Sequence, residues 1–292
     1  MQRFRIESIG VSYPKKGVIK GSLEQAVKAG KRCLASSGHR PAEVSVLINS
    51  GIHRDGHYAE PAVACFIQKK LDINPEFQER RTLAFDLQNG GSGMLSGAYV
   101  LANMMESRHI QAGMVISSEG NYDNQPDPNY DYPASGAAIM MDISPVSNKG
   151  FGGFCFKTFD EYSDLYTSAV SLKVKKGKIQ IKRKKELERT YLKCIPQVWE
   201  ELLQAEGLAP DAIDFVIPSQ ISPNFVGKLP KTLGLPKEKI LDVTDFLDDT
   251  LTTSPILALQ RAIDKKIITK NQTLVFLTAG SGITIGAAVY YI

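Results

Sequence analysis

The sequence predicts an α/β fold made of two similar halves, because one order of apolar strands and helices occurs twice along its 292 residues. The matching segments, first half before second, are 46–50 and 215–219, 84–87 and 240–243, 114–118 and 274–278, and 136–141 and 286–291. Strands that read as continuous apolar runs between amphipathic helices are typical of sheets covered on both faces. Two such halves, packed with their equivalent helices at the centre, make a five-layered αβαβα architecture.

The first half is expected to span residues 1–155 and the second 156–292, with a basic insertion at about 171–186. Apolar and basic residues alternate there around Lys176 and Gly177, which predicts a hairpin with one face of lysines. The insertion has two interpretations: an exposed edge that its lysines protect from aggregation, or a docking face for an acidic partner. Nucleic acid is not the expected partner, because the patch lacks interleaved aromatic residues.

The composition is that of an ordinary globular protein, with 43% hydrophobic residues and a formal net charge of +4. No stretch approaches the length of a membrane span. The chain enters a charged strand directly after Met1, which does not fit a signal peptide, so a cytoplasmic protein is expected.

Cysteine and histidine give no metal signature. The cysteines, Cys33, Cys65, Cys155 and Cys194, are widely separated and lack the C-x-x-C spacing, which favours reduced thiols. His53 and His57 lie four residues apart around Gly56, with no obvious third ligand, and are interpreted as surface or structural histidines. No metal site is expected.

A glycine-rich turn at 88–93 is the most informative local feature. It joins an apolar strand, Arg81 to Leu87, to a helical stretch, Met94 to Met105. Such a junction directs backbone N–H groups and the positive end of the helix dipole at the turn. That setting makes a cysteine thiol reactive.

The turn resembles the nucleophile turn of the thiolase-fold enzymes, most closely the ketoacyl-(acyl carrier protein) synthase III branch and its relatives in long-chain head-to-head condensation. The family pattern reads roughly Phe-Asp-hydrophobic-x-Asn-Ala-Cys-x-Gly-Phe. Asp86, Asn89 and Gly93 match it, Gly91 falls on the cysteine, and Ser92 is its neighbour. The resemblance implies the same five-layered fold, with a site where the turns at 90–93 and 248–254 converge.

Two further family motifs are present with altered residues. In the family's Pro-His-Gln-Ala-Asn motif, Ser219 stands in place of the histidine, and in its Tyr-Gly-Asn-Thr-Ser motif Asp249 stands in place of the asparagine. The closing glycine motif at 279–288 is kept, and the resemblance implies that backbone N–H groups at Gly91 and near Ser281 form an oxyanion hole. The segments 54–55, 60–61 and 118–119 also match.

These substitutions bear on the reaction. In the family the cysteine takes the acyl group, and the histidine and asparagine donate hydrogen bonds that stabilise the enolate of the second thioester. Ser219 cannot become a cation, and an ionised Asp249 would repel an enolate. Decarboxylative condensation by this chain is therefore not expected.

Two functional hypotheses follow from the resemblance. The first is a subunit without its own condensation activity that pairs with a catalytic homologue in acyl condensation for fatty-acid, polyketide or other secondary-metabolite synthesis. The second is an acyltransferase or thioesterase that acts on acyl-CoA or acyl carrier protein with Ser92 as nucleophile. It requires a one-residue shift of the alignment and lacks a histidine base. Neither needs a tightly bound cofactor, and the expected ligand is a CoA or phosphopantetheine thioester.

The resemblance also implies protein partners. A second subunit, homologous or identical, is expected to pair through the strand Gly113 to Ser118, with Met114 and Ile116 supporting that edge. An acyl carrier protein is the acidic partner that would suit the basic hairpin. Its candidate docking residues are Lys175, Lys176, Lys178, Lys182 and Arg183.

Overall fold

The computed structural model describes residues 2–13, 21–74, 81–108, 110–120, 127–170 and 177–292. The first half contains strands β1 (Phe4–Ser12), β2 (Val46–Asn49), β3 (Leu83–Asp86), β4 (Ala112–Glu119) and β5 (Ser135–Ile143), with helices α1 (Ser22–Ser36), α2 (Val63–Lys70) and α3 (Gly93–Arg108). The second half contains β6 (Gly150–Thr158), β7 (Tyr166–Val170), β8 (Ile179–Arg183), β9 (Phe215–Pro218), β10 (Thr273–Gly280) and β11 (Thr284–Tyr291), with α4 (Leu187–Glu206), α5 (Pro223–Leu233) and α6 (Ser254–Asp264).

The two main sheets repeat one topology. The first has the order β1-β5-β4-β2-β3, and the second has the order β6-β11-β10-β9. A parallel bridge between Val216 and Ile240 extends the second sheet at the place that β3 occupies in the first. The internal repeat predicted from the sequence is therefore confirmed. The sheets change over between Ile143 and Gly150, so the expected boundary at residue 155 lies inside β6.

Three hydrophobic cores separate five layers. The central core packs α3 and α6 between the two sheets, through residues such as Leu101 and Leu257. A second core lies under α4 and α5, and a third lies under α1 and α2. The predicted αβαβα fold is confirmed.

Short-range signals place the ends of these helices. Ser222 caps α5 by accepting a hydrogen bond from the Phe225 N–H at 3.0 Å, and Gly234 ends the helix in the left-handed conformation, φ +67°. Asp55 accepts from the first two N–H groups of α1, and Asp86 does the same for α2. These two carboxylates come from the turn after β2 and the end of β3, so they fix helices against the sheet.

The expected pairing strand is not an edge. β4 lies in the interior of the first sheet, with β2 on one side and β5 on the other, and all eight of its residues are buried. Met114 and Ile116 therefore cannot support an interface with another subunit, and that prediction is wrong. β3 is the edge beside β2, and Leu83 is 55% exposed there.

β7 and β8 form a two-stranded sheet, in which Val170 pairs with Ile179. Of the hairpin expected within 171–186, β8 supplies one strand, whereas the strand that pairs with it, β7, lies before residue 171. Lys175 and Lys176 lie outside the described residues. Among the described helices, none is long and apolar enough to cross a membrane.

Candidate active site

A cavity of about 190 Å³ lies where the two halves meet. Three positions that the sequence singled out, Gly91, Ser219 and Asp249, line it, and so does Ser281. They come from the turn before α3, the end of β9, the turn before α6 and the turn after β10. The repeat explains this convergence, because equivalent strand ends and helix starts of the two halves face each other across one axis.

The turn at Gly91 has no room for a side chain. Residues Gly90–Ser92 form a single 3₁₀ turn that leads into α3. A Cβ atom on Gly91 would lie 2.4 Å from the carbonyl oxygen of Ala279, at the end of β10. A Cβ on Gly280 would lie 3.0 Å from the carbonyl oxygen of Asn89. Glycine thus allows the two halves to cross backbone against backbone at the cavity wall.

Ser219 is held by the same strand. Its Oγ atom accepts a hydrogen bond from the Ala279 N–H at 3.3 Å, and the residue is only 3% exposed. The adjacent Gln220 fixes the turn by accepting from the Val243 N–H at 2.9 Å and donating to the Leu241 carbonyl at 3.0 Å. The hydroxyl of Ser219 is therefore a short, fixed group in the cavity wall.

Asp249 is an acidic residue of the cavity wall, and the pKa of its carboxyl is raised. Its Oδ1 atom accepts a hydrogen bond from the Leu251 N–H at 2.8 Å, and Leu251 has a left-handed backbone, φ +50°. Burial raises the pKa of Asp249 to about 7, with smaller upward contributions from Asp131 and Glu119, while Arg183 opposes the rise. The carboxyl therefore changes charge near neutral pH.

An arginine and two tyrosines form the opposite wall. Arg183 donates to both carboxylate oxygens of Asp131 at 3.1 and 3.2 Å, and to the Tyr132 hydroxyl at 2.7 Å. That hydroxyl donates to Tyr166 at 3.2 Å. Burial raises the pKa of Tyr132, so the phenol stays neutral. Arg183, one of the candidate docking residues, thus also orders the cavity wall.

A buried charged network lies behind this wall. Glu119 is fully buried at the end of β4 and accepts from His53 Nδ1 at 2.8 Å and from the Thr252 hydroxyl. His53 stacks on Tyr132 with ring centroids 5.2 Å apart. His53, which was expected to be a surface or structural histidine, is thus the buried partner of a carboxylate. Glu119, in the segment 118–119, is held by its hydrogen bonds to His53 and Thr252.

Comparison with known proteins assigns the architecture. The family model "3-oxoacyl-[acyl-carrier-protein (ACP)] synthase III C terminal" matches residues 203–292. A β-ketoacyl-[acyl-carrier-protein] synthase III of Coxiella burnetii is 23% identical over 268 residues, which cover 90% of this chain and 82% of that protein. An acyl-CoA:acyl-CoA alkyltransferase of Shewanella oneidensis is 36% identical over 98 residues, which cover 34% and 26%.

Solved structures agree over the whole chain. The 3-oxoacyl-(acyl carrier protein) synthase III of Pseudomonas aeruginosa superposes with a TM-score of 0.85 at 17% identity, covering 99% of this chain and 98% of that one. OleA of Xanthomonas campestris, in crystals with lauric acid and lauroyl-CoA, gives 0.83 at 16% identity and covers 99% of both chains. The fold is the thiolase fold of the ketoacyl synthase III proteins.

Within this thiolase fold, Ser92 does not lie in the cavity wall. It is fully buried, and its Oγ atom donates to the Thr284 carbonyl at 3.2 Å and accepts from the Thr278 hydroxyl at 3.1 Å. No histidine or carboxylate is among its hydrogen-bond partners in the described part of the chain. The Ser92 hydroxyl therefore packs between Thr284 and Thr278, inside the protein.

Several residues of the thiolase-fold cavity were not predicted from the sequence. Tyr132, Tyr166 and Tyr191 line it, from a loop, β7 and α4. No local pattern marks them, because only the return of the hairpin over the strand ends brings them together. Lys184 and Lys185 also line the cavity, one turn before α4. Among the described residues, no group of three or more His, Cys, Asp or Glu side chains could hold a metal ion.

Proposed function

We propose that this chain is a ketosynthase-III-like subunit that binds an acyl thioester, has no condensation activity of its own, and pairs with a catalytic homologue. The homologue would supply the condensation chemistry for fatty-acid, polyketide or other secondary-metabolite synthesis. The architecture is that of ketoacyl synthase III, and the distinctive feature is the set of side chains in the cavity.

One observation carries the proposal. A Cβ atom at Gly91, which the resemblance aligns with the family's cysteine, would lie 2.4 Å from the Ala279 carbonyl, so the turn has no room for a side chain. A thiolate would have to displace the end of β10. Ser219 and Asp249 line the same cavity in the positions of the family's two hydrogen-bond donors. In its ionised form the Asp249 carboxylate has no N–H or O–H to donate, and its charge opposes that of an enolate.

Binding of a thioester remains compatible with this wall. Tyr132, Tyr166 and Tyr191 offer apolar ring surface, and Lys184 and Lys185 add positive charge at the mouth. OleA of Xanthomonas campestris, which shares the fold, binds lauroyl-CoA. A CoA or phosphopantetheine thioester is therefore the ligand that we assign to the cavity.

The deciding experiment measures carbon dioxide release from malonyl-CoA. We expect no release by the purified chain, and none by Gly91→Cys, because Ser219 and Asp249 still lack the family's donors. The triple variant Gly91→Cys, Ser219→His, Asp249→Asn is the matched comparison, and any gain should need all three changes. Turnover by the unaltered chain at the rate of an active synthase would refute the proposal.

Pairing with the homologue is assigned to β3. This strand is the edge of the first sheet next to the cavity turn, and Leu83 is exposed on it. An unpaired edge exposes backbone donors and acceptors that a strand of a second subunit can satisfy. Continuation of the sheet across that edge would place the cavities of both subunits close to the interface.

Carrier-protein docking is assigned to the exposed lysines around the cavity mouth. Lys182, Lys184 and Lys185 are exposed at the end of β8 and in the turn after it. Lys184 is paired with Asp164, so Lys182 and Lys185 are the residues we test. Positive charge at this mouth suits an acidic carrier that delivers a phosphopantetheine arm.

The serine-nucleophile alternative draws no support from the position of Ser92, whose hydroxyl is buried between Thr284 and Thr278. It stays a separate prediction with its own test. Incubation with acyl-CoA would leave an acyl group on the chain that is lost in Ser92→Ala. We expect no such adduct on Ser92.

A further inference from the structure

A serine, a histidine and a glutamate are aligned behind the Tyr132 wall, and the serine and the histidine line a cavity whose wall includes neither Gly91 nor Asp249. Glu119 Oε2 lies 2.8 Å from His53 Nδ1, and His53 Nε2 lies 3.2 Å from the hydroxyl oxygen of Ser168. Glu119 ends β4, His53 lies in the turn after β2, and Ser168 lies in β7. No sequence motif joins them, because 66 positions separate His53 from Glu119 and 49 separate Glu119 from Ser168.

The carboxylate decides which ring nitrogen carries the proton. An ionised carboxylate only accepts hydrogen bonds, so the 2.8 Å contact requires Nδ1 to donate to Glu119. Neutral imidazole then has its lone pair on Nε2, which faces the O–H of Ser168. This is the arrangement in which a histidine can accept a proton from a serine.

Packing fixes the ring in this orientation. His53 is 3% exposed, and Tyr132 stacks on it at 5.2 Å while Tyr130 meets it edge-on at 4.9 Å. Glu119 is held by the backbone N–H of His53 at 3.1 Å and by Thr252. A buried, oriented base of this kind needs little reorganisation when a proton moves.

The serine, by contrast, is accessible. Ser168 is exposed on β7 and lines a cavity of about 310 Å³ together with His53, Arg54 and Gln88. Gln88 accepts from Arg54 Nε and Nη2 through its side-chain oxygen, so its NH₂ group is a neutral donor in the same wall. The cavity therefore contains a nucleophile and a base, and the Gln88 amide lies in the same wall.

We propose that Ser168 and His53 are catalytic residues, with Glu119 positioning the histidine, in a second site that hydrolyses carboxylic esters of short acyl groups. Ser168 Oγ bonds to the ester carbonyl carbon as its proton passes to His53 Nε2. The ester C–O bond then breaks, and the departing alcohol takes that proton. Water, deprotonated by His53, releases the carboxylic acid and restores the serine. The modest volume of the cavity sets the limit to short acyl groups.

The test uses an alkyl fluorophosphonate and p-nitrophenyl acetate on the full chain. The phosphonate should form one Oγ–P bond, with loss of fluoride, and the mass increase should map to Ser168. Ser168→Ala should abolish both labelling and ester hydrolysis. Thr167→Ala is the matched control, because Thr167 is an exposed hydroxyl on the same strand outside the cavity wall, and it should behave as the unaltered chain.

Glu119→Gln tests the positioning role. An amide can donate to Nδ1 and so favours the wrong tautomer, which should lower kcat for the ester by about a hundredfold or more with KM unchanged. A raised KM with kcat retained would overturn the role of Glu119. Absence of labelling, or equal labelling of the Ser168→Ala variant, would overturn the site as a whole. Because Ser168 is exposed, we expect the Ser168→Ala variant to fold normally.

Discussion

The carbonyl oxygen of Ala279 lies 2.4 Å from the point where a Cβ atom of Gly91 would stand. This contact joins the turn before α3 in the first half to the end of β10 in the second. It explains why a glycine stands there and why no single substitution can rebuild a nucleophile. The close crossing of the two backbones therefore leaves no room for a side chain at this point of the cavity wall.

The first prediction concerns stability at that contact. Gly91→Ala should lower the free energy of unfolding by about 1–3 kcal/mol, because a methyl group there must displace backbone. Gly227→Ala is the matched control: the position lies inside α5 with open space around it, and alanine should stabilise the helix by about 0.5–1 kcal/mol. Chemical denaturation measures both. An unchanged midpoint for Gly91→Ala would contradict the close crossing.

The second prediction concerns Asp249 and pH. Its pKa rises from 3.8 to about 7 on folding, so the native state binds the proton more tightly than the unfolded chain. Its contribution to stability is therefore greatest below pH 4 and is lost as pH rises to about 7. Asn at this position stays neutral. The unfolding free energy of Asp249→Asn relative to wild type should thus increase from pH 4 to pH 8.

The size of this change is at most about 4 kcal/mol, at 1.36 kcal/mol per pKa unit. Other groups that titrate near Asp249 affect both proteins alike, so the difference isolates the carboxyl. Asp248→Asn removes the exposed neighbouring carboxyl and is the matched control. A difference between wild type and Asp249→Asn that does not vary with pH would show that burial does not raise this pKa.

The third prediction concerns the β3 edge. The N–H groups of Leu83 and Leu87 donate to the carbonyls of Ser45, just before β2, and Asn49, at its end, at 2.9 and 2.8 Å. By alternation the N–H of Ala84 therefore points away from the sheet. Ala84→Pro should remove a donor for a second subunit while leaving the contact with β2 intact. Sedimentation of the chain, alone and with the co-expressed homologue, should show weaker association. The control Ile116→Val, inside β4, should associate as wild type does, and the reverse pattern would exclude β3 as the interface.

The fourth prediction concerns the lysines at the cavity mouth. Lys182→Glu with Lys185→Glu should slow association with an acidic acyl carrier protein by about tenfold or more at low ionic strength. The effect should fade as salt is added. Lys265→Glu with Lys270→Glu is the control, because it changes net charge by the same amount; Lys265 follows the end of α6 and Lys270 precedes β10, at the opposite end of that strand from Ala279. Equal slowing by this control pair would assign the effect to overall charge.

The sequence predicted the repeat and the layers because apolar strand runs and helical periodicity are local properties. The positions Gly91, Ser219 and Asp249 were singled out by the resemblance to the ketoacyl synthase III motifs. That resemblance also implied that the turns at 90–93 and 248–254 converge, and all three residues line one cavity.

Tertiary structure alone decided which strand is an edge, how a side chain is oriented and which distant residues meet. β4 and β3 both read as apolar runs, yet strand order buries one and exposes the other. Ser92 reads as a nucleophile candidate, yet its hydroxyl lies against Thr284. No pattern along the chain relates Ser168, His53 and Glu119, because their hydrogen bonds join three separate elements and depend on tertiary packing. The periodicity of a sequence indicates only which face of a single helix or strand is buried.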